Sequence, residues 1–262
     1  MEYYNSFHSI TEFLKQDRAR QGQSRLLLDR QRLHNAHRDA EKGKKSRMLQ
    51  LIELAKENNV KMEARPPQEL QSLLEQSHYR GYVLALDRLD PDELQAKAAD
   101  IAEILVRRPD LVIMLDGVLD VGNLGAIVRS SDLFGAGAVF VSHRSAGRSD
   151  RNAANQLSRA ASGANAWVPV IEGNLARMAL QLQEAGYQLY GADMRGKPAA
   201  HNEFSRPCVL ILGAEERGIH TRMREICDEL VRIPTEGHLD SLNVSAAGAV
   251  LMYEIRRGWN LQ

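Results

Sequence analysis

The chain has 262 residues, 44% of them hydrophobic, enough for one large domain or two modest ones with a real core. Its 34 basic and 34 acidic side chains cancel, no apolar run reaches the roughly 20 residues a bilayer demands, and Met1-Glu-Tyr-Tyr-Asn5 lacks the basic-then-apolar pattern of a secretion signal. Two cysteines, Cys208 and Cys227, with no Cys-x-x-Cys, argue against a disulfide framework or a zinc site and make the cytoplasm the default compartment.

In chain order, Ser9-Ile-Thr-Glu12 has the form of a capping box and predicts a short helix to about residue 16. Leu26-Leu-Leu28 reads as a brief buried strand. The stretch Arg18 to Arg47 carries ten basic residues against three acidic ones, a one-sided run that suits a polyanion such as nucleic acid better than a merely solvated helix face. Arg30 to Lys45 reads as part helix and part loop, broken at Gly43. Ser46 can cap a helix that places Met48, Ile52 and Ala55 on one face. Val60 to Ala64 alternates as a strand does, Pro66-Pro67 opens another helix, and Tyr82 to Leu86 is a further strand. Residues 1–86 therefore read as a small α/β domain. From Asp87 to Asp110 seven acids face four bases, with Pro91 and Pro109 flanking a helix at 92–107; this is the expected interdomain connection.

The second domain, 111–262, opens with Leu111-Val-Ile-Met-Leu115, short and wholly apolar as a buried parallel strand is. A helix from about Leu124 to Phe134, closed by Gly135, leads to a strand at Ala138 to Val141. Further β–α steps are expected: a helix at 152–162, a strand at 166–170, a helix at 175–185 and strands at 187–192 and 209–212. A helix at 221–228, a strand at 230–233 and a last helix at 243–257 complete the pattern. That is a mostly parallel sheet with helices on both faces.

Three stretches place polar residues and glycines just past an apolar strand, the end of an open α/β sheet where ligands bind. They are Leu115 to Arg129, Leu210 to Gly218 and Ile233 to Leu251. Ser241 and Asn243 stand at the mouth of a small-residue helix, where the plain reading is that they cap free backbone N–H groups. Gly122-Asn-Leu-Gly125 could cradle a phosphate, but the dinucleotide fingerprint G-x-G-x-x-G is missing. His143, His201, His220 and His238 lack ligand spacing, so each reads as a surface or loop histidine and no metal is expected. A G-x-S-x-G nucleophile elbow is absent as well.

Asp116-x-x-x-Asp120-x-Gly-Asn123-x-Gly-x-x-x-Arg129, then Leu212-Gly-x-Glu215-x-x-Gly218, then Ile233-Pro-x-x-Gly237 with Ser241-Leu-Asn-Val-Ser245, resemble the SpoU (TrmH) class of RNA 2′-O-ribose methyltransferases. The resemblance runs from Leu111 to the C-terminus. Asn174-Leu-Ala-Arg-Met178 and His143-Arg-Ser-Ala146 resemble the branch acting on a guanosine of large-subunit ribosomal RNA. Phe7-His-Ser-Ile10, the basic run and His78-Tyr-Arg-Gly81 resemble an L30-like domain that binds substrate RNA. Val121 stands where the family often has proline, and Tyr79 where its N-terminal domain often has glutamine.

The resemblance implies a trefoil-knotted domain, S-adenosylmethionine as cofactor, RNA as partner and a homodimer. It places cofactor contacts on Gly213, Ile233 and Leu242, and catalytic or positioning roles on Asn123, Arg129, Glu215, Ser241 and Asn243. A transfer of this kind is an in-line displacement that depends on orientation. Asn and Ser can hold a ribose without bulk. A guanidinium is a poor base, so Arg129 suits anchoring a phosphate and stabilising a developing alkoxide. The bland alternatives are a surface arginine at 129 and a Glu215 paired with Arg217. A transfer RNA substrate, or a ribosome-binding protein of this fold without turnover, stands as the alternative function.

Overall fold

The computed structural model describes residues 2–15, 24–40, 46–74, 79–86, 101–142, 157, 159–215, 217–237 and 241–260. Arg18, Arg20, Lys42, Lys44 and Lys45 of the basic run, residues 87–100 of the expected connection, His78, His143 to Ala146, most of the helix expected at 152–162, and His238 lie outside the described residues. By its internal contacts the chain divides into two units: Met1–Asp90 with Arg148–Trp167, and Pro91–Gly147 with Val168–Gln262.

The first unit is built on a four-stranded sheet. Its elements are β1 (Glu2–Tyr4), α1 (Phe7–Leu14), β2 (Ser24–Asp29), α2 (Arg30–Ala40), α3 (Arg47–Glu57), β3 (Lys61–Arg65), α4 (Pro67–Ser72) and β4 (Tyr82–Leu86). The strand order is β1-β4-β2-β3, antiparallel except for the β2–β3 pair. The two-residue period of a strand sorts the side chains. Leu26, Leu28, Tyr82, Leu84 and Leu86 enter one cluster with Ile10, Leu14, Leu51, Ile52 and Ala55. Leu27, Val83 and Ala85 enter another with Leu70 and Leu74. Helix α2 buries only Ala36, so its basic side chains stay in water. The capping box expected at Ser9 is not used: α1 starts at Phe7, two residues earlier, and Ser9 is buried inside it. Burial of Ile10, Phe13 and Leu14 sets the phase of α1 and overrides the local cap signal.

Residues 159–167 also belong to this unit. Trp167 donates its indole N–H to Glu12 at 2.7 Å, and Arg159 donates to the Asn5 side chain at 2.6 Å. Gly163 has φ +88°, and a Cβ there would lie 2.9 Å from the Ser9 Cα, so glycine alone lets the chain press onto α1.

The second unit holds α5 (Ile101–Arg107), β5 (Leu111–Asp116), α6 (Val121–Leu133), β6 (Val139–Ser142), β7 (Val170–Gly173), α7 (Leu175–Glu184), β8 (Gln188–Pro198), β9 (Cys208–Gly213), α8 (Thr221–Ile226), β10 (Glu229–Arg232) and α9 (Val244–Asn260). Its six strands are all parallel, in the order β10-β8-β9-β5-β6-β7. Every residue of β5 is buried, which is why it reads as a continuous apolar run. On one face Ile101, Ile104, Val112, Met114, Phe140, Leu182, Leu189 and Val209 pack together. On the other, α9 lies on α6, with Gly248 close against Leu212 and Ile127.

Two sequence expectations are corrected. The strand expected at 166–170 is displaced to Val170–Gly173, with a 3-10 turn at Ala164–Ala166 before it. β8 runs to Pro198 rather than ending near residue 192. The helix expected within the 87–110 connection is seen over Ile101–Arg107, and its Ile101 and Ile104 are in the second unit's core. Ile104 is fully buried, so Ile104→Ala should destabilise the protein by about 2–5 kcal/mol. Urea unfolding followed by circular dichroism measures this; an unchanged midpoint would mean that this helix is only a tether.

Candidate active site

The order of the parallel sheet reverses between β5 and β9: β6 and β7 lie on one side, β8 and β10 on the other. In such a sheet the crevice opens at the carboxyl ends of the two strands at the reversal. Here those ends are Asp116 and Gly213, partners in register. The loops that follow them carry the first two motifs, and the third follows β10.

Side chains from all three motifs meet at one carboxylate. Asn123, in the first turn of α6, donates from its amide to Glu215 Oε1 at 3.0 Å. Asn243, just before α9, donates to the same oxygen at 2.5 Å and to the Asn123 side-chain carbonyl at 3.0 Å. The capping roles expected for a helix mouth are filled too. Asp120 accepts from the Asn123 backbone N–H at 2.7 Å, and the Asn243 side-chain oxygen accepts from the Ser245 N–H at 2.9 Å and the Ser245 hydroxyl at 2.5 Å. Asn243 thus caps α9 with its oxygen and reaches Glu215 with its nitrogen. Among the described residues Glu215 takes these amides and no ion pair with Arg217.

Beside this cluster is a cleft of about 760 Å³ lined by Gly213, Glu215, Ile233, Ser241, Leu242 and Leu251, among others. Gly213, Ile233 and Leu242 therefore share one cavity, as the resemblance requires. Glycine at 213 has a reason in the fold itself. A Cβ there would collide with the chain's own Gly218–Ile219 peptide, so the glycine lets the motif loop fold back over its strand. Ala214 and Gly218 close that loop with two backbone hydrogen bonds, and Gly218 has φ +64°.

One wall of the cleft was not legible from the motifs. Between the partners of Leu230 and Val231, residues 192–196 of β8 leave the β10 ladder. They bring Asp193, Met194 and Arg195 to the cavity. Asp193 accepts from the Arg195 N–H, from its guanidinium and from Arg224, with the guanidinium contacts at 2.9 Å. The Arg195 hydrogen bond holds the Asp193 carboxyl well below its ordinary pKa, outweighing partial burial. Arg224 also donates to the Ile219 carbonyl at 2.8 Å. A second unforeseen pair is Asp116 with His220. The carboxylate accepts the His220 backbone N–H at 2.8 Å and lies 2.9 Å from its Nδ1. His220 is thus fixed to a strand end of the site rather than standing as an isolated loop histidine.

Arg129 is on α6 six residues past Asn123 and is exposed. It is not among the three side chains that meet. Ser241 lines the cleft without joining them. Burial pushes the thiols of Cys208 and Cys227 up to about 12, so neither is a thiolate near neutral pH. The cavity fits a cofactor that is part apolar and part charged. Leu212, Val231, Ile233 and Leu242 offer apolar walls, and the arginines and carboxylates at its rim offer partners for a charged tail.

Residues 110–253 match the model of the SpoU rRNA Methylase family. The 23S rRNA (guanosine-2′-O-)-methyltransferase RlmB of Ralstonia nicotianae is 34% identical over 80% of this chain and 82% of its own length. The protein of the same name from Bordetella pertussis is 36% identical over 73% of this chain and 84% of its own. Among solved structures, the SpoU methyltransferase AviRb of Streptomyces viridochromogenes, in complex with AdoMet, superposes with a TM-score of 0.73 at 22% identity, covering 98% of this chain and 90% of that one.

The depressed Asp193 pKa gives a pH test. A carboxyl that is more acidic folded than unfolded stabilises the fold above its unfolded pKa, near 3.8, and that contribution is lost as pH falls through the folded value. Asp193→Asn should therefore cost about 1–2 kcal/mol at neutral pH, the smaller figure reflecting the solvent exposure of Arg195. The gap from the parent should stay constant down to about pH 5 and shrink below about pH 4. Urea melts across this range measure it, and a gap that persists undiminished at pH 2 would refute the assignment.

Proposed function

The chain belongs to the SpoU rRNA Methylase family, and from that premise we propose that the target of its S-adenosylmethionine-dependent RNA ribose 2′-O-methylation is a guanosine of 23S ribosomal RNA. The observation that carries the reading is the meeting of Asn123, Glu215 and Asn243, one from each motif, beside the cleft lined by Gly213, Ile233 and Leu242. The guanosine assignment is supported by the relatives' activity and by the chain's match over four-fifths of one such enzyme.

S-adenosylmethionine, when bound, supplies a sulfonium-activated methyl group. Gly213, Ile233 and Leu242 hold the cofactor in the cleft, and Ser241 at its edge binds cofactor or ribose. Glu215 fixes the two asparagine amides so that they orient the ribose without rotating freely, which is where most of the acceleration of an in-line displacement can arise. Arg129 anchors an RNA phosphate and stabilises the 2′-oxygen as negative charge develops on it. The un-ionised cysteines, Cys208 buried and Cys227 half-buried, offer no thiolate of the kind that covalent base methylation through cysteine needs.

The same reading assigns substrate-RNA binding to the first unit, as an L30-like domain, and a trefoil-knotted passage to the second, where Gly196 and Gly213 lie tight against other main-chain segments. It places the protein in the cytoplasm; among the described residues no helix is long and apolar enough to cross a membrane. It also makes the protein a homodimer. The stripe Val244, Gly248, Leu251, Ile255 faces the protomer's own core, so the interface falls on other faces of α6 and α9, where Leu133 is 73% and Tyr253 53% exposed. Light scattering at micromolar concentration should give twice the chain mass of 29.3 kDa, and a monomer would overturn the dimer.

Transfer of labelled methyl from S-adenosylmethionine to 23S RNA, followed by nuclease digestion and mass spectrometry, should yield 2′-O-methylguanosine. Arg129→Ala should fold normally, bind S-adenosylmethionine with near-parent affinity by calorimetry, and lose at least about a hundredfold in turnover. Cys208→Ser and Cys227→Ser should keep most activity. A methyl on the base, or parent-like turnover by Arg129→Ala, would refute the assignment.

A further inference from the structure

Methyl transfer releases a proton from the ribose 2′-hydroxyl, and the roles given so far assign it no acceptor. Arg129 carries a guanidinium, a poor base. Cys208 and Cys227 are held un-ionised by burial. Glu215 spends Oε1 on the Asn123 and Asn243 amides. Imidazole is the side chain whose ordinary proton affinity suits uptake and release near neutral pH. One imidazole stands at the crevice, that of His220, and it is built into a pair with Asp116.

Asp116 ends β5 and is 7% exposed. Both of its oxygens serve one residue. Oδ2 accepts the His220 backbone N–H at 2.8 Å, and Oδ1 lies 2.9 Å from the ring Nδ1. An ionised carboxylate only accepts, so this contact places the ring hydrogen on Nδ1 and leaves Nε2 of the neutral ring with a bare lone pair. Gly117 lies close against the same ring. It has φ +84°, and a Cβ there would lie 3.3 Å from His220 Cε1 and 3.7 Å from the Ala214 Cβ. The imidazole thus stands beside the ends of β5 and β9, where the crevice opens. Asp116 precedes the loop that leads to Asn123, and Ala214 precedes Glu215. The His220 side chain is 58% exposed, so the ring is open to a substrate. The other charged groups on the elements around it are Asp120 after β5, Glu215 and Arg217 in the loop after β9, and Arg222, Arg224 and Glu225 in α8. Arg224 is turned to Asp193 and the Ile219 carbonyl, and among the described residues Asp116 alone hydrogen-bonds the imidazole.

We propose that His220 is the proton acceptor for the ribose 2′-hydroxyl, held in its accepting tautomer by Asp116. The 2′-oxygen bonds to the methyl carbon as the methyl–sulfur bond breaks and that electron pair returns to sulfur. The hydroxyl proton passes to Nε2, directly or through one water, and the imidazolium formed beside the Asp116 carboxylate then gives it to bulk water. A purely structural Asp116 would tie α8 to β5 through the His220 backbone N–H, and that bond is available to any side chain at 220. The ring contact is additional to it, and its one chemical effect is to fix the tautomer and orientation of an imidazole. The inference goes beyond the choice of RNA target, because it concerns any ribose 2′-hydroxyl brought to this crevice.

Nitrogen NMR of the full chain with labelled histidine should show a neutral His220 ring protonated on Nδ1; a ring protonated on Nε2 would overturn the proposal. His220→Asn keeps a side-chain N–H for Asp116 and a favoured helix-cap residue, but has no basic nitrogen. It should fold, bind S-adenosylmethionine with parent affinity by calorimetry, and lose at least about a hundredfold in single-turnover rate at saturating 23S RNA. It should also lose the acid limb of the pH–rate profile, over which the parent's rate rises as its acceptor deprotonates. Asp116→Asn should offer its amide to Nδ1, move the ring hydrogen to Nε2, and cost at least about a hundredfold with His220 in place. A His220→Asn enzyme at the parent rate would overturn the acceptor role. So would one that is slower at every pH with its acid limb intact, which would mark a structural residue, or an acid limb that disappears in Glu215→Gln instead, which would move the acceptor to Glu215. The tautomer is read without RNA, so failure of the 23S guanosine target and failure of the dyad are distinguishable.

Discussion

One oxygen atom organises the second unit's site: Glu215 Oε1, which accepts from the Asn123 and Asn243 amides. Each asparagine is engaged at both ends. The Asn123 backbone N–H is capped by Asp120, and the Asn243 side-chain oxygen caps α9. Pulling one member out therefore leaves the others with unmet donors or acceptors, and losing Asn243 also frees the mouth of α9. Hydrogen bonds to a charged acceptor are worth about 1.5–3 kcal/mol each, with the lower end fitting an exposed cluster such as this. The position of Glu215 depends in turn on Gly213, because only a residue without a Cβ lets the peptide of Gly218 and Ile219 fold back over the end of β9.

The legibility of the chain followed the strength of its local signals. Leu111 to Leu115 and Val209 to Leu212 are short, uninterrupted and apolar, which is what strands buried on both faces require, and both are strands at the centre of the parallel sheet. Gly135 closes α6 with φ +66°, as its place after the helix implied. Ser9-Ile-Thr-Glu12 misled because a local cap is weaker than the burial of Ile10 and Leu14. The acid-rich stretch before Asp110 gave no sign in its composition that Ile101 and Ile104 pack into a core.

The site was half legible. Asn123, Glu215, Ser241 and Asn243 stand in glycine-bearing loops after strands, and the family resemblance singled them out there. Asp193, Arg195 and Arg224 were not legible, because the excursion of residues 192–196 from the ladder has no sequence mark. Their role is electrostatic. A sulfonium cofactor is cationic, and the cleft is lined by Arg195, Arg217, Arg224 and Arg232. Asp193 offsets two of these, leaving the remaining positive field for a carboxylate or for RNA phosphate. Without Asp193 those four arginines would leave the cleft a more strongly positive field.

Arg129 separates the two accounts of how the 2′-oxygen is activated. It is six residues beyond Asn123 on α6, so it is displaced by about 9 Å along the helix and about 120° around it. Asn123 points to Glu215 and Asn243. Arg129 is an exposed residue on a different face of the helix. A proton acceptor has to sit within hydrogen-bonding reach of one hydroxyl, about 2.6–3.2 Å, alongside the groups that orient it. A phosphate anchor is under no such restriction, since the next phosphate along the backbone lies several ångströms from the reacting ribose. The offset of Arg129 from the Asn123–Glu215–Asn243 cluster matches the second requirement, and the guanidinium's reluctance to lose a proton leads to the same assignment from chemistry alone. Geometry and acidity therefore both favour a fixed positive charge over a proton acceptor at Arg129.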